Sequence, residues 1–296
     1  MPLTLSNEIH GIPSMIFLKD FYRLLRLPQW SKGIFVLLGV IYADTLSNWP
    51  KALCAALSFC LIASAVYIYN DIQDLAEDRA HPHKKNRPLA SNRVSVGFAV
   101  TSLVLLLLLG MGIAFVISIQ LAVILCIYLL INLIYNHWLR LVPIFDVLCI
   151  ASGFMLRVFA GTWGIGLPTT GWLTLTATLL SLLIALSKRR LEMRLGFKLT
   201  KRAVLKKYQP VVLDGMVILT AIACFASYFL YTIFSRAGSF YFLLTLPFTA
   251  VGLWRFTYLT FQPTKIDDPI LVFFNDKLSF LNLFCFCGLT LLALLQ

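Results

Sequence analysis

Apolar residues run through this chain in long uninterrupted blocks such as Val94 to Ile117, separated by short polar breaks. A bilayer core about 30 Å thick is crossed by roughly 20 apolar helical residues. Lipid offers backbone groups no outside partner, so only helices or closed barrels span it. Blocks of this length lack the alternation of barrel strands, and the pattern therefore predicts an all-α integral membrane protein. The length rule gives about nine spans, near 31–47, 51–69, 94–117, 119–138, 144–161, 170–187, 211–234, 240–258 and 278–295. Asp44 interrupts the first of them.

Residues 14–27, SMIFLKDFYRLLRL, have the pattern of an amphipathic helix lying on the membrane and stopped by Pro28. Lys19, Asp20, Arg23 and Arg26 break the apolar core that a cleaved signal peptide requires. Composition agrees: 59% of residues are hydrophobic and only 13% charged, against about 25% charged in soluble domains. The mean hydropathy is +0.85. The seven cysteines show no paired spacing in a loop, a pattern that points to neither a disulfide nor a metal site.

The net charge of +12 is distributed unevenly. With the N-terminus in the cytoplasm, nearly all Lys and Arg fall in the N-terminal segment and the loops after spans 2, 4, 6 and 8. Only Lys51 and Arg236 are left for the other side. The stretch from Lys188 to Lys207 holds nine basic residues, which sets this orientation by the positive-inside rule. Basic residues divided among juxtamembrane loops form no single stripe, which argues against nucleic acid as a partner.

The end of span 2 reads Asn70-Asp71-Ile72-Gln73-Asp74-Leu75-Ala76-Glu77-Asp78-Arg79. At helical spacing Asp71, Asp74 and Asp78 lie within roughly 60° of one another. Three carboxylates on one face repel unless a cation joins them. Hard oxygen ligands with room for substrate phosphate suit Mg²⁺, and Lys84 and Arg87 follow as phosphate-binding candidates. A solvated helix end is the bland alternative, but acids within a turn of hydrocarbon are costly and usually functional. His81 and His83 raise zinc as a further alternative, which their Lys-rich surroundings without cysteine support weakly.

Three further features stand out. Ile134-Tyr135-Asn136 echoes Ile68-Tyr69-Asn70 at the end of another span, a hint of an internal repeat. Arg157 lies eleven residues after Asp146 on the same predicted helix face, about 16 Å deeper. Its two readings are a structural partner for a buried group and a substrate contact. Acids return at Asp267, Asp268 and Asp276, ahead of span 9, where they pair with the basic loop after span 6 or close over a substrate.

Asn70-Asp71-x-x-Asp74-x-x-x-Asp78 resembles the first signature of the UbiA superfamily of intramembrane prenyltransferases. More narrowly the chain resembles the decaprenyl-phosphate phosphoribosyltransferase branch, through Pro28-Gln29-Trp30-x-Lys32, Arg79-x-His81-Pro82-x-Lys84 and Arg87-Pro88. Further matches are Asp146-Val147, Gly153-Phe154-x-Leu156-Arg157, Lys188-Arg189-Arg190-x-Glu192 and Asp268-Pro269 leading to Asp276. The resemblance covers nearly the whole chain. It implies one membrane-embedded transferase domain over residues 1–296, a bundle around a central cavity, with the 14–27 helix at the interface and a catalytic cytoplasmic loop over 70–93. Mg²⁺ would be held by Asp71, Asp74 and Asp78, with Asn70 beside them. Lys32, Lys84, Arg87, Tyr135, Arg140, Asp146, Arg157, Lys188 and Arg189 would bind substrate phosphate. Gly33 stands where Asn is expected and Arg140 where Lys is usual. Ile150 replaces the second acid of aromatic-substrate members.

The activity implied is Mg²⁺-dependent transfer of 5-phosphoribose from phosphoribosyl pyrophosphate to a polyprenyl phosphate of decaprenyl type. It would occur at the cytoplasmic face of a bacterial plasma or inner membrane, supplying precursor for cell-wall arabinan. The rival enzyme moves a prenyl group from a polyprenyl diphosphate to an aromatic or other acceptor, using the same motif. A secondary transporter fits less well, because its coupling acids belong near the midplane within inverted repeats.

Overall fold

The structure is a computed structural model that describes residues 14–42, 46–82, 84–195, 203–236 and 239–294. Asp44, His83 and the 196–202 part of the basic stretch lie outside the described residues. The described chain is all-helical. Eight helices are long and apolar enough to cross a membrane, and nine spans result if the bent pair Leu18–Leu24 and Leu27–Tyr42, at 43°, counts as one.

The first helix, α1 (Ser14–Leu24), ends four residues before Pro28, which corrects the expected end at residue 27. Arg26 takes a left-handed conformation at φ 53°, and that residue stops the helix, since an L side chain there crowds its own carbonyl. A 3-10 turn over Leu27–Gly33 leads into α2 (Ile34–Tyr42). The long spans are α3 (Trp49–Gln73), α5 (Val96–Ile117), α6 (Ile119–His137), α7 (Phe145–Ala160) and α8 (Gly171–Leu195). They continue with α9 (Pro210–Phe234), α10 (Phe240–Thr260) and α12 (Lys277–Leu294). Short helices α4 (Leu75–Arg79) and α11 (Pro269–Asn275) intervene. Two spans outrun their apolar blocks: α3 extends four residues past position 69 and α8 eight past 187, so each carries polar chemistry on its final turns.

The chain divides into two compact units. The first holds the described residues up to Ser31 with those of Cys60–Leu109, packed around Leu24, Ala65, Ile68, Leu89, Val94 and Ala99. In the second, Lys32–Phe59 and the residues from Gly110 onward, α7 and α9 both pack on α8, and α2 packs on α7. The α2–α7 crossing depends on glycine. A Cβ on Gly161 would fall 1.7 Å from the Val36 carbonyl oxygen, and one on Gly39 2.7 Å from the Gly161 backbone. Small residues at such crossings let backbones approach where lipid removes any hydrophobic drive between helices. Exposed Leu105, Leu108, Phe115 and Val116 on α5, with Leu219, Ile222 and Phe234 on α9, present apolar surface outward, as lipid-facing helices require.

Candidate active site

The acidic motif belongs to the first unit. Asp71 lies on the last turn of α3, Asp74 immediately precedes α4 and Asp78 lies within α4. The described residues of 70–93 are therefore mostly helical turns rather than an open loop: two helix segments, a 3-10 turn at Lys84–Asn86 and tight turns to residue 94. Arg26 pairs with Asp71 Oδ1. Arg87 Nη1 donates to both Asp71 Oδ1 at 2.9 Å and Asp78 Oδ2 at 2.6 Å, and Lys84 Nζ stands 3.9 Å from Asp78 Oδ1.

Burial is unequal within this cluster. The Asp71 and Asp78 side chains are 4% and 2% exposed, while Arg26, Arg87 and Lys84 keep 27%, 28% and 38%. Burial pushes the Asp78 carboxyl above the ordinary carboxylate range, with Arg87 and Lys84 opposing the shift. Two converging buried carboxylates thus depend on cations that reach them from a partly open side. Asp74 is half-buried, and its backbone N–H donates to the Asn70 carbonyl at 2.9 Å. Among the described residues no three His, Cys, Asp or Glu side chains form a metal-holding cluster. Mg²⁺, however, commonly uses one or two carboxylates with substrate phosphate and water. Asp71 and Asp78 fit that donor set. His81 is buried, and its Nδ1 accepts the Lys84 N–H at 3.3 Å, which employs the ring in the turn.

The second unit carries a different network. Arg189, on the polar end of α8, pairs with Asp146 and Glu192, and its Nη2 donates to the Tyr135 hydroxyl at 3.2 Å. Arg189 and Asp146 are both 0% exposed. Tyr208 donates to Asp146 Oδ1 at 2.5 Å and accepts the Ile144 N–H at 2.8 Å. Burial, then the bond to Asp146, pushes its hydroxyl above the usual phenol range. The bond to Ile144 stabilises an uncommon backbone: Ile144 has φ 71°, and Phe145 N–H donates to Pro143 O at 2.9 Å across it. This is a γ-turn of the strained hand, with a β-branched residue at its centre.

Other predicted residues of this unit lie nearby in sequence or structure. Lys188 and Arg140 are half-buried. Lys32 Nζ donates to Asp268 Oδ2 at 2.8 Å, and Asp268 Oδ1 caps α11 by accepting the Ile270 N–H at 3.0 Å. Burial raises the Asp268 carboxyl, but Lys32 and Lys188 overcome it and hold it below the usual range. Asp276 pairs instead with Arg255 of α10. Arg157 is buried between the rings of Phe59, Tyr128 and Phe154, whose centroids lie 4.6, 5.4 and 5.7 Å from its Cζ. Desolvated contacts of this kind contribute about 2 kcal/mol. An apolar cavity of about 320 Å³ is lined by residues including Phe35, Tyr42, Trp172, Tyr228 and Phe286.

Three partners had no clear signal in the sequence. Arg26 reads as one more cation of an interfacial helix, and Tyr208 sits between a basic stretch and Pro210. Asp268 was visible as an acid, but not as the partner of Lys32, 236 positions away.

The model of the UbiA prenyltransferase family matches residues 33–286. The decaprenyl-phosphate phosphoribosyltransferase of Corynebacterium glutamicum is 33% identical over 243 residues, 77% of this chain and 73% of that protein. The enzyme of the same name from Mycolicibacterium smegmatis is 29% identical over 262 residues, 80% and 81% of the two chains. The fold resembles a UbiA homolog from Archaeoglobus fulgidus, solved bound to DMAPP and Mg²⁺. The TM-score is 0.68 at 16% identity, over 93% of this chain and 99% of that one.

Proposed function

The chain belongs to the UbiA prenyltransferase family and is a membrane transferase, and on that premise we propose that it transfers 5-phosphoribose from phosphoribosyl pyrophosphate to a polyprenyl phosphate. The observation that carries the reading is the Asp71–Arg87–Asp78 arrangement with Arg26 and Lys84, buried carboxylates bridged by partly exposed cations. The likeness to decaprenyl-phosphate phosphoribosyltransferases supports the choice of donor and acceptor.

In the reaction the bond from the ribose anomeric carbon to pyrophosphate breaks, and a bond from that carbon to a lipid phosphate oxygen forms. Pyrophosphate leaves with the bonding electron pair. Asp71 and Asp78, with Asp74 adjacent, would hold Mg²⁺, which when bound neutralises the charge on the leaving group. Arg87, Arg26 and Lys84 add cations to the same phosphates, so that charge is met as it develops. The acceptor phosphate is already anionic and needs alignment more than a base.

In the second unit, Lys32, Arg140 and Lys188 are the proposed phosphate contacts. Arg189, with Asp146 and Tyr135, fixes the α8 end on which Lys188 sits. The apolar cavity suits part of an isoprenoid chain. By the positive-inside rule this chemistry faces the cytoplasm.

Transfer of a prenyl group is the second reading, favoured by the fold shared with a homolog solved with DMAPP and Mg²⁺. Purified protein given labelled phosphoribosyl pyrophosphate, polyprenyl phosphate and Mg²⁺ should produce labelled lipid. No product here, together with transfer from a prenyl diphosphate, reverses the assignment.

A further inference from the structure

Helix α1 of the first unit turns three different faces to its surroundings. At about 100° per residue, Asp20, Phe21 and Leu24 fall on one side, and the unit's own core takes up that side. Leu24 is fully buried, and the Phe21 ring meets Phe98 edge-on with centroids 5.9 Å apart. Asp20 is 4% exposed, and its Oδ1 pairs with Arg93 Nε at 3.1 Å. The only acid of the helix is therefore neutralised from within the fold.

Leu18 and Tyr22, one turn apart on the next face, are 64% and 48% exposed. Lys19 and Arg23, also one turn apart, are exposed on the face beyond it, and their side chains make no hydrogen bond or ion pair with the described residues. An apolar strip beside a strip of cations matches the boundary of a bilayer, where acyl chains give way to headgroups. Tyrosine suits that depth, with an apolar ring and a polar tip. Charge that serves only to orient a chain in the membrane needs no such neighbours.

We propose that α1 holds the headgroup of an anionic membrane lipid between Lys19 and Arg23, with Leu18 and Tyr22 against its acyl chains. A basic side chain near an anionic leaflet strengthens the attraction about fivefold, and the guanidinium fork matches two oxygens of a lipid phosphate. In a zwitterionic lipid the headgroup's own ammonium cancels that attraction. Leu25 N–H donates to the Phe21 carbonyl at 3.0 Å, so the turn runs on from α1 to Arg26, which pairs with Asp71. Lipid held on α1 thus anchors the segment that brings a cation to the acidic cluster, whichever donor the enzyme uses.

Titration of purified full-length protein in neutral detergent with phosphatidylglycerol, and with phosphatidylcholine of the same chains, tests this. Native mass spectrometry reads the retained lipid, and the melting temperature is followed in parallel. Wild type should bind phosphatidylglycerol at least tenfold more tightly than phosphatidylcholine. Its melting temperature should rise with the bound lipid, since a ligand of the folded state alone stabilises that state. The preference should vanish in Lys19→Gln/Arg23→Gln and persist in Lys51→Gln, which removes an exposed cation from the other unit. Equal binding of the two lipids by wild type overturns the proposal, as does a preference that survives in the double variant. Loss of the preference in Lys51→Gln overturns it too, because overall charge would then account for the binding. If the double variant gives no folded protein, salt decides: high ionic strength screens exposed charges, so a wild-type preference that it leaves undiminished contradicts the site.

Discussion

The acidic cluster of the first unit and the Arg189 network of the second contain the same kinds of groups in opposite arrangements. Around Asp71 and Asp78 the anions are buried and their cations partly exposed, so partners can be exchanged with the surroundings. Around Arg189 the cation and Asp146 are both fully buried, with Glu192 almost so, and the network is closed. Removing one member of a closed pair strands a charge, at a cost of several kcal/mol. An open cluster can give up a protein cation and take a metal or phosphate in exchange. The difference divides the candidate residues into those expected to govern turnover and those expected to govern folding.

The largest effect is expected from Arg189→Met. Breaking a fully buried ion pair costs roughly 3–5 kcal/mol, so thermal unfolding in detergent should fall sharply and the yield of monodisperse protein with it. A variant that keeps wild-type stability and loses only substrate affinity would make Arg189 a direct phosphate contact. Asp78→Asn comes next. Loss of one charge-stabilising group typically lowers kcat by about 10²–10³, here with the melting temperature little changed, as steady-state kinetics and calorimetry of one preparation can establish. Tyr208→Phe removes the hydroxyl that serves Asp146 and Ile144, leaving buried groups unsatisfied. The expected loss is about 1–3 kcal/mol of stability, with KM for the donor changed little.

Asp268 supplies the pH test. Its folded carboxyl lies below the ordinary range, so the pairing with Lys32 contributes stability above the unfolded pKa of about 3.9. That contribution is lost as the pH falls toward the depressed folded value. Lys32→Met removes the leading opposing cation and leaves burial to raise the group, which moves the acid limb of thermal stability to higher pH. Identical acid limbs in the two proteins would show that the pair does not hold the carboxyl down. The smallest effect belongs to Lys84→Ala. At 3.9 Å and 38% exposure the contact contributes at most about 1 kcal/mol, visible as a modest rise in KM for the donor without loss of fold.

Much of the fold could be read from hydropathy, because lipid enforces span length. The predicted block near 119–138 became α6 (Ile119–His137), and that near 211–234 became α9. The errors fall where polar side chains take over from lipid. Arg26 ends α1 early by a backbone conformation that no apolar pattern encodes, and α3 continues past its apolar block because Asp71 is paired within the fold. The gathering of Asp71 and Asp78 with cations was legible, since acids so near hydrocarbon need compensation. The division of the basic stretch was not: Arg189 is sealed while Lys188 beside it is half-buried. Net charge cannot distinguish neighbours whose environments are set by Asp146 and Tyr135, more than 40 positions away.

The central claim is that the open cluster, not the closed one, takes up the leaving group with its metal. Titration of Mg²⁺ with pyrophosphate into wild-type protein and into an Asp71→Asn/Asp78→Asn variant of matched thermal stability tests it most directly. Saturable, Mg²⁺-dependent binding by wild type and at least a hundredfold weaker binding by the variant is the result expected. Equal binding by both proteins would contradict the account.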